Sequence, residues 1–326
     1  MEKNKIELSI IVPVFDEEGN IEKLHDELTS ALNESGKSYE IIYVDDGSED
    51  NSFSILSGIV QEDKNSTTNI KAIRLRRNYG QTAALMAGFD NSTGDIVITI
   101  DADLQNDPKD IKNLLTKIEE GYDVVSGWRK FRKDKFLTRI VPSKIANNLI
   151  SFVIGIPLND YGCSLKAYKR EILDNIRLYG EMHRFIPAYA SWVGAKIAEV
   201  AVNHRPRIHG KSKYGLIRII KVILDLLTVK FFVSGIQSKP IYLFGAIGLL
   251  LGGLGTLFAL GALYEKIYTG TFIHTNPLII LSGFALSMSL QFILTGLLAE
   301  IIIRTYFESR GKGYYLIKDI VEKDKS

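Results

Sequence analysis

Two long apolar runs near the C-terminus constrain this chain more than any other feature. Residues 241–264 (IYLFGAIGLLLGGLGTLFALGALY) contain no charged side chain, and residues 277–303 contain one, Glu300. A helix needs roughly 20 residues to cross the hydrocarbon core of a bilayer, and both runs exceed that. Neither shows a polar face, which argues against a pair of ordinary core helices. Both are rich in glycine, which is common where membrane helices pack closely. Residues 1–239, in contrast, read as a soluble protein.

Basic residues orient the runs. Lys211, Lys213, Arg218, Lys221, Lys230 and Lys239 precede the first, and Arg304, Arg310, Lys312 and Lys318 follow the second. The connecting loop, Glu265 to Asn276, has only Lys266. The positive-inside rule predicts an integral protein of the cytoplasmic membrane, with the soluble part and both termini in the cytoplasm. The polar start, Met1 to Lys5, leads into a strand, so no cleavable signal peptide is expected. The expected division is a soluble α/β domain over 1–213, an amphipathic juxtamembrane segment over 214–239, two membrane helices over 240–304 and a cytoplasmic tail over 305–326. In the amphipathic segment Ile217, Ile220, Leu224, Leu227 and Phe231 alternate with Arg218, Lys221 and Lys230. It reads either as a helix on the membrane surface or as an ordinary domain helix. Glu300, near the end of its run, reads as snorkelling or as an interhelical hydrogen-bonding group.

Composition narrows the function classes. The chain has 40 Lys and Arg against 38 Asp and Glu, a net charge of +2. No bulk basic excess favours nucleic acid as a partner. The single cysteine, Cys163, excludes an intramolecular disulfide framework and a multi-cysteine zinc site, and reads as a packed thiol. His25, His204, His209 and His274 show no metal-ligand spacing, and His183 reads as structural.

The soluble part alternates strand and helix. Strands are expected at Leu8–Val14, Glu40–Val44, Ile70–Leu75, Asp95–Ile100 and Tyr122–Ser126. Helices are expected at Glu17–Asn33, Ser52–Gln61, Gly80–Asn91 and from Asp107-Pro108 to Glu120, with Asp107 as cap. A further helical pattern lies around Ile145–Ile154. Repeated βα units predict a mostly parallel sheet with helices on both faces. Ligands then bind at the carboxyl ends of the strands, where the acidic clusters fall.

Asp101-Ala102-Asp103 closes one strand. Aspartates two apart at the end of a strand point to the same side. Hard carboxylate oxygens suit Mg²⁺ or Mn²⁺, which bridges phosphate oxygens and stabilises a departing diphosphate. Asp45-Asp46-Gly47-Ser48 closes another strand. Its carboxylates could accept hydrogen bonds from a base or ribose, or serve turn geometry. No G-x-G-x-x-G follows the first strand and no G-x-x-x-x-G-K-[ST] occurs, against dehydrogenases and P-loop NTPases.

Pro13-Val14-Phe15-Asp16-Glu17-Glu18, Asp45-Asp46-Gly47-Ser48, Arg77-Asn78-Tyr79-Gly80 and Asp101-Ala102-Asp103-Leu104-Gln105 occur in this order. Together they resemble the family-2 glycosyltransferases with a GT-A, Rossmann-like fold. Asn159-Asp160-Tyr161-Gly162-Cys163-Ser164-Leu165-Lys166-Ala167-Tyr168 and Gly210-Lys211-Ser212-Lys213-Tyr214 narrow the resemblance to the polyprenyl-phosphate branch. That branch includes dolichol-phosphate mannose synthase, bactoprenol glucosyltransferase and the undecaprenyl-phosphate aminoarabinose transferase.

The resemblance implies a role for each matching residue. Pro13, Phe15 and Glu17 would line the nucleotide pocket, and Asp45 or Asp46 would contact base or ribose. Asp101, Asp103 and Gln105 would surround the metal and diphosphate. Arg129 would meet the acceptor phosphate, as would Arg139 and Ser143. Asp160 would sit at the catalytic centre. Arg207 and Lys213 would belong to a loop closing over the diphosphate. The implied reaction is inverting transfer of one sugar from a nucleoside-diphosphate sugar to polyprenyl phosphate. A lipid phosphate has its second pKa near ~6, so it attacks without a strong general base and needs positioning and charge compensation. Asp160 would then orient the sugar or a basic side chain. The implied partners are the nucleotide sugar, the lipid, the membrane and further copies of the chain as a homo-oligomer. A processive polysaccharide synthase would carry Q-x-x-R-W, which no glutamine here begins. A non-catalytic binding or assembly subunit is the other alternative. The Asp101/Asp103 pair with Arg129 and Arg139 argues against it.

Overall fold

The computed structural model describes residues 5–62, 69–130, 147–148, 150–151, 155–174, 176, 178, 182–206, 240–270, 272, 276–308 and 315–322. Arg139, Ser143, Arg207, Lys213 and the amphipathic stretch 214–239 lie outside these residues, as does most of the helical pattern around 145–154. The chain divides into two compact units, one formed by residues 1–230 with 313–326 and the other by 231–312.

The first unit is built on one sheet. Its first strands are β1 (Leu8–Val14), β2 (Tyr39–Asp45), β3 (Asn69–Leu75) and β4 (Ile96–Thr99). Every residue of β2 is buried, and β1 is nearly so. This is the pattern of parallel strands covered on both faces. β1 pairs in parallel with β2 on one side and β4 on the other, and β2 pairs in parallel with β3. The chain therefore reverses its direction of travel across the sheet at β1, which makes the crevice beyond β1 and β4 a topological switch point.

The helices between these strands are α1 (Ile21–Ser35), α2 (Ser52–Glu62) and α3 (Gln81–Asp90). Ile21, Leu24, Leu28 and Leu32 form the buried stripe of α1, which stops at Gly36 in the left-handed conformation (φ 67°). The helix begins four residues later than the predicted Glu17. The Asn20 N–H and its Nδ2 both bond back to Glu17, closing a turn first. Asp107 caps as predicted: its side chain accepts the Lys109 N–H. A 3₁₀ turn, Pro108–Asp110, then runs into α4 (Ile111–Glu119).

Beyond β5 (Val124–Trp128) the topology changes. β6 (Lys166–Lys169) is antiparallel to both β4 and β5, and it leads into the short α5 (Arg170–Leu173). After α6 (Ile186–Trp192), β7 (Ile197–Ala201) lies parallel to β5. The final strand, β8 (Ile317–Glu322), comes from the stretch read as a tail and pairs antiparallel with β3. The order across the sheet is β7-β5-β6-β4-β1-β2-β3-β8. None of β6, β7 and β8 stands out in the sequence. They are short, and β8 alternates buried and exposed residues only weakly.

The second unit holds α7 (Pro240–Thr269) and α8 (Pro277–Glu308). Their 30 and 32 residues give helices about 45 Å long, more than a bilayer core requires. Leu249, Leu250, Leu257, Ile280 and Phe284 are all exposed on the pair, which no soluble core helix would allow. A Cβ on Gly248 would stand 2.7 Å from the Ile293 side chain and 3.0 Å from the Ser289 carbonyl oxygen, so glycine there permits the close approach. Ser289 Oγ donates to the Gly248 carbonyl across the gap at 2.6 Å. Thr256 and Thr295 donate to carbonyls four residues earlier, so these hydroxyls stay satisfied without water. Asn276 accepts the Leu278 N–H at 2.9 Å, starting α8 with Pro277 at its first position.

Candidate active site

The loops after β1 and β2 interlock. Asp16 N–H donates to Ser48 Oγ at 3.0 Å, and Glu49 N–H donates back to Asp16 Oδ1 at 3.0 Å. Glu17 N–H donates to Ser52 Oγ at 2.9 Å, while the Glu17 carboxylate accepts from Asn20 Nδ2 at 2.6 Å. Asp16 takes a left-handed conformation (φ 48°), which turns the chain sharply after Phe15. Pro13 lies within β1 opposite Val44. Gly47 also has positive φ (73°), and a Cβ there would lie 2.5 Å from the Arg77 carbonyl carbon. The Asp45–Ser48 turn thus packs directly on the Arg77–Asn78 backbone.

Both aspartates of that turn accept backbone N–H groups, and Asp45 also faces a cation. Asp45 Oδ1 accepts the Ser48 N–H at 3.1 Å, with Arg74 Nε 3.4 Å from Oδ2. Asp46 accepts the N–H groups of Tyr79 (2.7 Å) and Gly80 (2.8 Å), fixing the entry to α3. Burial raises both carboxyl groups above their ordinary range, against the pull of these hydrogen bonds. Asp46, with charged Asp45 beside it, is pushed up to about 6. Asp46 therefore spends its oxygens on the Arg77–Gly80 loop, a structural task the turn reading of this motif allowed.

β4 ends at Thr99, so Asp101 and Asp103 stand in a turn rather than on a strand. Strand alternation does not orient them. Leu104, the next residue, adopts a left-handed conformation (φ 60°) that is rare for a bulky residue and costs on the order of 1 kcal/mol or more. Asp103 Oδ1 accepts the Gln105 N–H at 3.1 Å. Asp101 Oδ1 accepts from Gln81 Nε2, at the start of α3, at 2.7 Å. The other end of the loop is tied to the segment after β7: Arg205 N–H donates to the Gln105 carbonyl at 2.8 Å, and Arg205 pairs with Asp107 and Glu27.

Arg129, one residue past β5, faces Asp160. Its Nε lies 2.7 Å from Oδ2 and its Nη2 2.9 Å from Oδ1, a two-pronged fork. The Arg129 and Gly162 N–H groups donate to the same carboxylate at 3.3 and 3.1 Å. Burial opposes the guanidinium charge, but Asp160, helped by Asp101, holds its pKa above the ordinary arginine value. Asp160 thus orients a basic side chain, one of the two tasks foreseen for it. Arg129 and Asp160 form one ion pair.

Buried residues behind this group complete it. Lys166, on β6, is buried, and its Nζ donates to the Tyr161 carbonyl at 3.2 Å. Burial lowers its pKa to about 8. Cys163 is packed as expected, and burial pushes its thiol up to about 12. His183 Nδ1 meets Thr82 Oγ1 at 2.8 Å, and burial among Arg184 and Lys166 keeps it well below the usual histidine range. Gln81 is the residue the sequence offered least reason to choose. Its one signal is position, a long polar side chain directly after Arg77-Asn78-Tyr79-Gly80 at the start of a small-residue helix.

Comparisons with known proteins give the family and the fold. The sequence profile of "Glycosyl transferase family 2" matches residues 9–177. The dodecaprenyl-phosphate galacturonate synthase of Rhizobium johnstonii is 41% identical over 320 residues, covering 97% of this chain and 94% of the relative. The undecaprenyl-phosphate 4-deoxy-4-formamido-L-arabinose transferase of Shewanella sediminis is 36% identical over 315 residues, covering 96% and 92%. Among solved structures, glucosyl-3-phosphoglycerate synthase from Mycobacterium tuberculosis, in complex with Mn²⁺, uridine diphosphate and phosphoglyceric acid, aligns with TM-score 0.52 at 19% identity. It covers 71% of this chain and 79% of that one, a likeness of fold. With the profile matching more than half of its residues and two transferases matching it almost end to end, the chain belongs to glycosyl transferase family 2, on the same branch as those transferases and with a GT-A fold.

Proposed function

We propose that this chain transfers a single sugar from a nucleoside-diphosphate sugar to polyprenyl phosphate at the membrane surface. The observation that carries the reading is the Arg129–Asp160 fork, in a chain that also carries two helices of membrane-spanning length. The two nearly full-length relatives named above are transferases to dodecaprenyl and undecaprenyl phosphate.

Topology supports the membrane placement. The chain leaves the sheet unit before residue 231 and returns to it as β8. If α7 and α8 both cross the bilayer, the two flanks must share one side. The basic flanks make that side the cytoplasm.

The acidic loop fits a divalent metal. Mg²⁺ and Mn²⁺ are hard cations commonly held by one or two carboxylates, with substrate phosphates completing the shell. Asp101 and Asp103 supply such a pair, and no third acidic, histidine or cysteine ligand joins them among the described residues. When bound, Mg²⁺ or Mn²⁺ would stabilise negative charge on the departing diphosphate. Gln81 and the Gln105 amide fix the two carboxylates for this task.

The protein's own residues do the rest. Phe15, Asp16 and Glu17, on the interlocked loops, and Asp45 form the nucleotide end of the crevice. Arg129 offers its remaining N–H groups to the acceptor phosphate, already largely a dianion at neutral pH, and Arg139 and Ser143 add to that set. Asp160 keeps the Arg129 guanidinium in plane, so the phosphate oxygen meets the anomeric carbon from a fixed direction and inverts it. Arg207 and Lys213 neutralise the diphosphate.

A donor screen tests this reading. Protein in lipid is incubated with undecaprenyl phosphate, Mg²⁺ or Mn²⁺, and a panel of UDP- and GDP-sugars that includes a uronic acid and an amino-pentose. The expected outcome is one lipid-linked monosaccharide by mass spectrometry, lost in EDTA. Nucleotide binding without any lipid-linked product would overturn the proposal.

A further inference from the structure

Glu199 sits in the middle of β7, in none of the sequence motifs. Its Oε1 accepts the Asp160 N–H at 2.9 Å. Its Oε2 accepts the Asn159 N–H at 3.1 Å and Asn159 Nδ2 at 2.6 Å. One carboxylate thus takes three donors from the two residues that open the Asp160 loop. Hydrogen bonds to an ionised acceptor are roughly twice as strong as neutral ones, so this is a firm attachment.

The same loop is held elsewhere by groups that leave its opening to Glu199. Lys166 Nζ grips the Tyr161 carbonyl, and the Tyr161 hydroxyl donates to the Ile156 carbonyl at 2.7 Å. Asn147 Nδ2 donates to the Asn159 carbonyl at 2.7 Å. Among the described residues, the backbone N–H groups of Asn159 and Asp160 both donate to Glu199. The register places Glu199 opposite Ser126 on β5, three residues before Arg129. The strand that carries Arg129 and the strand that holds the partner of Arg129 are therefore direct neighbours.

We propose that Glu199 is a positioning residue that sets the Asp160–Arg129 fork, and through it the use of the acceptor phosphate. The inference rests on the reading of Arg129 given above. Without the Glu199 charge the Asp160 backbone shifts, the carboxylate turns, and the fork loses its plane. Donor binding, governed by the loops after β1, β2 and β4, stays as it was.

Glu199→Gln tests it. The amide keeps the shape but presents an NH₂ to donors that need an acceptor. The expected result is a KM for undecaprenyl phosphate raised ~10- to ~100-fold, the range a small misplacement of a binding group produces, with donor KM changed less than about twofold. In an Arg129→Lys background the same substitution should add less than about twofold, because residues acting through one contact are not additive. A full multiplicative effect there, or an equal loss of donor binding, would show that Glu199 acts by another route. A silent Glu199→Gln beside a strong Arg129→Lys would sink this inference alone. A silent Arg129→Lys would remove the assignment of Arg129 and the inference with it. If Glu199→Gln fails to fold, Asn159→Ala removes only the 2.6 Å side-chain contact and should shift acceptor KM in the same direction by less; no shift would count against the role.

Discussion

The two halves of the sheet hold their charged side chains in different ways. In the parallel half, β1 to β4, Asp46 and Asp103 rest on backbone N–H groups. In the half built from β5, β6 and β7, Asp160 rests mainly on a buried cation, Arg129, and Glu199 braces its loop. Neutral donors leave a carboxylate's charge uncompensated, which suits a site that a metal and a diphosphate will share. An ion pair cancels charge in advance, which suits a group that must present spare N–H donors to an arriving phosphate. The halves therefore differ in what happens when one partner is removed.

The largest effect is expected where compensation is built in. Asp160→Ala strands a buried guanidinium, and breaking a buried pair in this way costs ~3–5 kcal/mol of folding stability. Thermal unfolding of the purified protein measures it. A loss no larger than that of a surface carboxylate would mean Arg129 is hydrated, and the contrast between the halves would collapse. Next comes Asp103→Asn, which should lower metal-dependent turnover by more than about 100-fold with little change in melting. Retained activity would remove Asp103 from the metal site.

The smallest effect concerns Asp46. Its folded pKa, about 6, lies above the ordinary carboxyl value, so the folded state binds the proton more tightly than the unfolded chain. Its contribution is therefore most favourable at acid pH and is lost as pH rises towards about 6. Asp46→Asn should erase this component, on the order of 1 kcal/mol after screening, seen as a flatter dependence of melting temperature between pH 4 and 7. An unchanged profile would place the titration elsewhere.

Much of the parallel half was legible in the sequence. A nearly continuous apolar run such as Leu8 to Val14 reads as a strand covered on both faces, and the helix stripe of Ile21, Leu24, Leu28 and Leu32 is periodic. The acidic motifs follow directly, because ligand loops sit at strand ends. In the other half β5 was legible, but β6 and β7 were not. β6 has four residues and β7 five, both of mixed character, and their place depends on pairing with strands forty or more residues away. The same holds for β8, which joins β3 across more than two hundred residues.

The sequence by itself determined the class of fold and the two apolar helices, because both depend on local composition or period, and its resemblance to known glycosyltransferases named the candidate acidic and basic residues. Only the tertiary structure decided which partners those residues have. Asp46 was given to the Tyr79 and Gly80 amides, Asp160 to Arg129, Asp101 to Gln81, and the loop of Asp160 to Glu199. Hydrogen bonds act over about 3 Å in space and carry no trace in sequence separation, so which carboxylate is an anchor and which is left for substrate emerges only when the strands are laid side by side.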